Sequence, residues 1–183
     1  MAPLQKAGLY YPNKFGLITI KSLEEVMGKN GLKYLVITIS IYSIIVTSFR
    51  FKGEMETVKM YVAKANGQWD ETLHQANKAE NYFYKVDLTS IPIAWYQGLA
   101  SFNLNETAES VTHFEEAYQI APYQIQVLNN LASSYNFLGD RQKAIQYYQK
   151  ALEISTDFEE ARLNLASVYY NEKQYDKVFD VIE

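Results

Sequence analysis

Apolar and polar positions follow a helical period over most of this chain. In the clearest stretch, Leu128, Leu131 and Tyr135 fall at the three- and four-residue spacing that places side chains on one helix face. A little further on, Ala144 and Tyr148 form a second stripe of the same kind. The pattern predicts two amphipathic helices, each with one face to bury against the other.

A short turn separates these two helices. We predict helices over 125–137 and 141–154, with Gly139 in the turn because glycine adopts positive φ without steric cost. Asp140 follows at the position where a carboxylate caps a helix N-terminus. The two helices therefore form an antiparallel hairpin, in which Ala144→Leu is expected to overpack the interface.

The hairpin pattern recurs at a fixed interval. Three pairs of residues correspond 34 positions apart: Leu131 with Leu165, Ala132 with Ala166, and Tyr135 with Tyr169. A period of this size is typical of helical repeats, whose units bury their apolar faces by stacking on one another. The sequence therefore predicts an all-α fold, an α-solenoid of helical hairpins.

We divide the array, residues 53–183, into about three and a half units. Their approximate bounds are 53–86, 92–122, 125–156 and 158–183, the last being incomplete. In the second unit we expect Trp95, Leu99 and Phe102 to supply the core of the first helix. We predict that the turn at 103–105 is one residue shorter than the turn at Gly139.

The first unit has the weakest pattern. Its core is expected to include Met60 and Ala76, with a turn at Gly67. Its second helix is predicted to be long, and residues 87–91 are interpreted as a linker before Pro92.

An uncharged apolar run precedes the array. Residues 34–49 read YLVITISIYSIIVTSF, and Lys33 and Arg50 bracket them. As a helix the run spans about 24 Å, close to the thickness of a bilayer core once the flanking residues extend it. We predict a single transmembrane helix over 34–51, and leave the structure of the segment 1–33 unassigned.

Two other structures suit the same run. Leu35, Ile37 and Ile39 alternate with smaller or polar residues, as in a buried β-strand, although no second strand is predicted to pair with it. A hydrophobic helix packed on the repeats is the other alternative. Lysines and arginines flank the run on both sides, so its orientation across a membrane stays open.

Charge and composition narrow the range of partners. Residues 51–183 carry eleven Lys and Arg against nineteen Asp and Glu, which gives this part of the chain a net charge of −8. An acidic surface repels phosphate backbones, so no nucleic-acid partner is expected. The chain has no cysteine and hence neither disulfides nor thiolate metal sites.

The sequence contains no recognisable catalytic constellation. Its two histidines, His74 and His113, lie in predicted helices without acidic neighbours at metal-ligand spacing. No glycine-rich phosphate loop occurs. We therefore predict neither an enzyme nor a bound cofactor or metal.

The array resembles the tetratricopeptide repeat family. Two sequence segments carry the resemblance: NNLASSYNFLGDRQKAIQYYQKALEI and LNLASVYYNEKQYDKV. The resemblance implies that the first helices of successive units, the A helices, form a concave face that binds a protein or peptide. It places these residues on that face: Tyr96, Asn103, Gln126, Asn129, Ser133, Asn136, Leu163, Ser167, Tyr170 and Asn171.

This predicted lining is uncharged and rich in asparagine. Asparagine both donates and accepts hydrogen bonds, so it suits an extended peptide backbone or sugar hydroxyls, and Tyr adds an apolar platform. The Lys and Arg pattern with which chaperone-binding members of the family hold a C-terminal carboxylate is missing here. Contact with a glycan stays open.

Residues 34–183 also resemble the C-terminal part of bacterial O-antigen ligase and polymerase-like membrane proteins. The resemblance is found in the sequence segments around Trp69, Asp87, 92–96 and 129–131. It implies that 34–49 corresponds to a final membrane helix, while the catalytic body of that family is absent.

Three hypotheses follow. The first is a single-pass protein of the bacterial inner membrane, anchored through 34–49, whose repeats bind a protein partner in surface-polysaccharide assembly. The second is a non-catalytic fragment of an O-antigen ligase or polymerase-type glycan transferase. The third is a soluble repeat scaffold.

Overall fold

A computed structural model describes the backbone of residues 20–182 and the side chains from residue 26 onward. Eight α-helices make up this part of the chain: α1 (Ile20–Ala65), α2 (Trp69–Ala79), α3 (Ile93–Asn103), α4 (Thr107–Ile120), α5 (Ile125–Phe137), α6 (Arg141–Ile154), α7 (Glu159–Asn171) and α8 (Tyr175–Ile182). Over 20–182 the only β-type pairing consists of two isolated bridges. The fold is all-α, as predicted. Contacts divide the chain into two units, Met1–Ile45 and Val46–Glu183.

The first unit is described from residue 20 onward and is helical. The strand alternative for the apolar run is therefore wrong. Gly28 has a φ of 74° and a ψ of 161°, which interrupts the helical backbone within α1. From Val26 to Ala65 the helix is long and apolar enough to cross a membrane, with a mean hydropathy of 1.7 in its most apolar window, none of which is buried.

The second unit consists of four stacked helical hairpins. Residues 46–65 of α1 pair with α2, and the pairs α3 with α4, α5 with α6 and α7 with α8 follow. The bounds of α5 and α6 coincide with the two helices predicted from the apolar stripes. Asp140 caps α6 as expected, its side chain accepting a hydrogen bond from the backbone N–H of Lys143.

All four hairpins make the same turn. Each turn has one residue at positive φ: Gly67 at 68°, Asn105 at 64°, Gly139 at 86° and Lys173 at 60°. The backbone N–H that follows this residue bonds to a carbonyl five residues back, at 2.9 Å in every case. This pairing satisfies the carbonyls left free at a helix C-terminus. The turn of the second hairpin is therefore of full length, and the expectation that it is one residue short is wrong.

The first hairpin differs from the prediction in its second helix. Helix α2 has 11 residues, whereas α4 and α6 have 14 each, so it is short rather than long. The irregular segment 80–92 that follows is not a free linker. Asp87 within it is buried and bonded to residues of α1 and α3, so the segment is a packed part of the core.

Small and large side chains alternate in the core between hairpins. Ala132, Ala144 and Ala151 are fully buried, which lets the helix backbones approach closely. Tyr135 and Tyr148 fill the spaces between them and are also buried. These residues are the ones that the repeat pattern predicted for the core.

Candidate functional site

The positive-φ turns fix which residues of successive A helices are equivalent. Since Asn105 and Gly139 occupy the same turn position, Trp95 of α3 corresponds to Asn129 of α5, and Leu99 corresponds to Ser133. The predicted alignment of the second unit was one residue out, because it assumed a short turn. A shift of one residue rotates a helix by about 100°, enough to exchange its faces.

The shift changes the roles of several α3 residues. Tyr96, predicted to line the groove, has only 3% of its surface exposed and belongs to the core between the first two hairpins. The groove prediction for Tyr96 is therefore wrong. Leu99 and Phe102, predicted as core, are half-buried; they pack against the core and also line a groove.

The structure contains a groove between α3, α5 and α7, the A helices of the last three hairpins. Its volume is about 340 Å³. Its lining consists of Leu99, Phe102, Asn103, Phe114, Asn130, Ser133, Phe137, Glu160 and Asn164. Asn103 and Ser133 are the members of this lining that the sequence predicted.

An aromatic pair forms the apolar side of the groove. The rings of Phe102 and Phe137 meet edge to face, with centroids 4.9 Å apart. Phe137 nevertheless keeps 72% of its surface exposed, although it is a large apolar side chain. Such exposure within a concavity is typical of a contact site for an apolar ligand group.

A network of amides forms the polar side. Asn129 donates to Glu160 Oε1 at 2.9 Å and accepts from Asn164 Nδ2 at 3.1 Å, which ties α5 to α7. Its side chain is 1% exposed, so Asn129 supports the groove from below and does not present its amide to a ligand. Ser133 donates to the carbonyl of Asn129 and pairs with the hydroxyl of Tyr148.

Three polar residues of the lining were not predicted from the sequence: Asn130, Glu160 and Asn164. Each lies one residue or one turn from a predicted position on the same helix. Asn164 lies 34 residues after Asn130 and corresponds to it in the next repeat. The repeat period could therefore have identified the two as a pair.

The other predicted residues lie outside this lining. Gln126, Ser167 and Asn171 are exposed, and Asn136 is half-buried. Leu163 and Tyr170 are exposed as well, at 55% and 61%. They lie on α5 and α7 and could extend the contact surface beyond the groove.

The charge of the groove is slightly negative. Glu160 is the one ionisable carboxylate in the lining, which includes neither Lys nor Arg. Burial raises the pKa of the nearby Tyr148 hydroxyl, an effect that its bond with Ser133 partly offsets. The phenol therefore stays neutral and can donate its proton to Ser133 Oγ, whose own proton goes to the Asn129 carbonyl.

No arrangement typical of a metal centre occurs among the described residues, where no group of three or more His, Cys, Asp or Glu side chains converges. His74 is exposed on α2, and His113 is half-buried on α4.

The stacked hairpins define the fold of the protein as an α-solenoid. More particularly, residues 90–157 match one model of the tetratricopeptide repeat, and residues 138–178 match a second. Among curated proteins, none matches this chain.

Solved structures with the same fold include the following three. The crystal structure of MamA has 16% identity and a TM-score of 0.64, with 89% of this chain and 90% of that chain covered. The first tetratricopeptide domain of Spaghetti (RPAP3), bound to the HSP90 peptide SRMEEVD, has 15% identity and a TM-score of 0.60, over 68% of this chain and 95% of that chain. The tetratricopeptide domain of Arabidopsis OM64 has 13% identity and a TM-score of 0.61, over 67% and 98%.

Proposed function

We propose that this chain is a non-catalytic interaction module whose groove binds an extended peptide segment of a partner protein. The observation that carries the proposal is the exposed Phe137, held edge to face against Phe102 in a groove otherwise lined by amides and a hydroxyl. An apolar side chain of the partner would pack on this pair. The amides of Asn103, Asn130 and Asn164 would bond to the peptide backbone.

The charge of the lining indicates the kind of segment that fits. The peptide in the RPAP3 structure, SRMEEVD, is rich in acidic residues. The groove of this chain has Glu160 and no Lys or Arg, so an acidic segment would meet repulsion without compensation. We therefore expect a neutral or basic segment with an apolar anchor residue. The same amides could hold sugar hydroxyls, which leaves glycan contact as part of the proposal.

We further propose that α1 attaches the module to the bacterial inner membrane through residues 34–49, as a single span. Length and mean hydropathy support this, as does the exposure of apolar side chains such as Ile39 and Ile44. A role in surface-polysaccharide assembly rests on the resemblance of 34–183 to the tail of O-antigen ligase-like proteins. A soluble scaffold is the competing interpretation; a full chain that stays monodisperse without detergent would favour it.

The groove is tested with the variant Phe137→Asn. Asparagine stands at the equivalent position of the neighbouring repeats, as Asn103 and Asn171, so the repeat accommodates it. Tyr123→Asn is the matched control, because Tyr123 is 76% exposed and outside the groove.

Full-length protein is used for capture of partners from bacterial membrane extracts, followed by affinity measurement with synthetic segments of each partner. We expect Phe137→Asn to lower the affinity for the partner segment about tenfold or more. A tenfold change corresponds to ~1.4 kcal/mol, and loss of an aromatic contact at the centre of an interface costs at least that much. Equal affinity of wild type, Phe137→Asn and Tyr123→Asn would show that the groove is not the binding site.

A further inference from the structure

Helix α1 has a second apolar face, which no described element covers. Within the array, α1 buries one face, which includes Gly53, Thr57 and Met60, against the rest of the repeats. On the opposite side, Phe51, Met55, Val58 and Val62 are between 49% and 63% exposed. We call these four residues the outer stripe.

The outer stripe has the spacing of a coiled-coil seam. Its residues are separated by four, three and four positions, which assigns Phe51 and Val58 to heptad position d and Met55 and Val62 to position a. This alternation of apolar positions is typical of the contact face of a coiled-coil helix.

We propose that the outer stripe pairs with the outer stripe of a second copy of this chain, in a parallel, in-register coiled coil. This dimer goes beyond the peptide-binding function and does not depend on it. The buried residues of α1 fall at positions b, c and f of the heptad, so the repeats pack on one side of the helix and leave the seam side open.

The charges beside the stripe favour the parallel orientation. Glu54 occupies position g, and Lys52 and Lys59 occupy position e. In a parallel pair, position g of one helix faces position e of the next heptad in its partner, which places Glu54 opposite Lys59 of the second copy. In an antiparallel pair, position e faces position e, and Lys52 would meet Lys59.

Within one chain, Lys59 bonds to Glu56 at 2.8 Å, with 55% of the Lys59 side chain and 15% of the Glu56 side chain exposed. Ion pairs at the surface contribute little, so this contact holds Lys59 weakly. Lys59 is therefore free to exchange this contact for Glu54 of the second copy.

The surface next to the stripe also suits a second helix. A groove of about 360 Å³ lies along Phe51, Met55 and Val58, and its far wall includes Tyr84 and Leu88. Leu88 is 76% exposed on the segment after α2. It would cover the methylene groups of the lysines at position e of the second copy.

Single-cysteine variants of the full chain test the proposal cleanly, because the chain has no cysteine of its own. Met55→Cys, Val58→Cys and Val62→Cys are purified in mild detergent and oxidised. In a parallel, in-register pair each residue at a or d meets its own counterpart, so all three variants should form disulfide-linked dimers. Lys78→Cys, exposed on α2, is the control and should stay monomeric.

Crosslinking at one of the three positions alone would indicate an antiparallel pair and overturn the proposal. Yields no higher than that of Lys78→Cys would show that the stripe does not self-associate.

Charge reversal gives an independent measurement. Sedimentation in density-matched detergent should give a dimer for the wild type. Glu54→Lys and Lys59→Glu should each raise the dimer dissociation constant, by about tenfold, and the double variant should restore it. Val58→Asp, with unchanged helical circular dichroism because the residue is exposed, should be monomeric. A monomeric wild type, a dimeric Val58→Asp or a double variant without recovery would contradict the coiled coil.

Discussion

The hydroxyl of Tyr96 on α3 donates a hydrogen bond to Asp87 Oδ2, at 2.8 Å, in the segment that follows α2. The same oxygen accepts from the hydroxyl of Tyr61 on α1, at 2.6 Å. The second oxygen, Oδ1, accepts from the backbone N–H groups of Thr89 and Ile91. One buried carboxylate thus joins the first A helix, the second A helix and the segment between them.

We expect Asp87→Asn to destabilise the array, because the amide nitrogen would face donors where an oxygen now accepts. The free energy of unfolding should fall by about 1.5–3 kcal/mol or more, because a single hydrogen bond to a charged group contributes that much. Urea unfolding followed by tyrosine and tryptophan fluorescence measures it. Asp157→Asn, at an exposed position before α7, is the control and should be nearly neutral. A neutral Asp87→Asn would mean that the carboxylate contributes no net stability.

The same carboxylate predicts an acid limit to stability. Burial by itself raises the pKa of Asp87, but the hydrogen bonds from Tyr61, Ile91, Tyr96 and Thr89 outweigh it and hold the pKa below its ordinary value. The contribution is present above the ordinary aspartate pKa, near 3.9, and is lost as the pH falls through the lower folded value. The difference in unfolding free energy between wild type and Asp87→Asn should therefore shrink below about pH 4. A constant difference down to pH 2 would contradict this.

Gly98→Ala should destabilise the second hairpin by overpacking. A Cβ at this position would lie 2.7–2.9 Å from ring carbons of Phe114, which is itself buried. Overpacking of this kind costs about 1–3 kcal/mol. Gly98→Ala should destabilise the Phe114→Leu protein less than it destabilises the wild type, because the ring that it clashes with is absent. Absence of such coupling in the thermal midpoints would show that the ring moves aside freely.

Lys173→Gly should stabilise the last hairpin. Lys173 has a φ of 60° at the turn position that glycine occupies as Gly67 and Gly139. Left-handed backbone costs a residue with a side chain about 1–2 kcal/mol, which glycine avoids. Amide hydrogen exchange in α8 should slow accordingly. Asn105→Gly should have a smaller effect, since asparagine tolerates this conformation, and an equal gain at both sites would contradict the argument.

Asn129→Ala should lower stability as well as any binding, because it removes the amide that pairs with both Glu160 and Asn164. The expected cost is about 1–3 kcal/mol for leaving buried polar partners unsatisfied. Gln126→Ala, one turn earlier and exposed, should change the unfolding free energy by no more than about 0.5 kcal/mol. Unchanged stability of Asn129→Ala would mean that the network reforms without it.

Sequence periodicity was sufficient to predict the hairpins and their core. The bounds of α5 and α6, and the burial of Ala132, Ala144 and Tyr148, follow from local apolar spacing and turn chemistry. These features depend on neighbours within the same repeat, which one sequence displays directly.

The groove was harder to predict, because it depends on the alignment between repeats. The turn at 103–105 was predicted to be one residue short, although Asn105 occupies the glycine position and is of a residue type that readily adopts positive φ. That error placed Tyr96 in the groove and left the groove-lining role of Phe102 unpredicted. The burial of Asn129 could not be anticipated, since it depends on Glu160 and Asn164 reaching across from α7.

The positive-φ residues are 34 positions apart between Asn105, Gly139 and Lys173, but 38 apart between Gly67 and Asn105. The first repeat is thus four residues longer than the others. The additional residues lie in the segment after the short helix α2, and the hydrogen bonds of Asp87 hold this segment in place. A repeat can therefore depart from the period of its neighbours and still stack, provided that the additional residues are anchored in the core. Here one acidic side chain supplies that anchor.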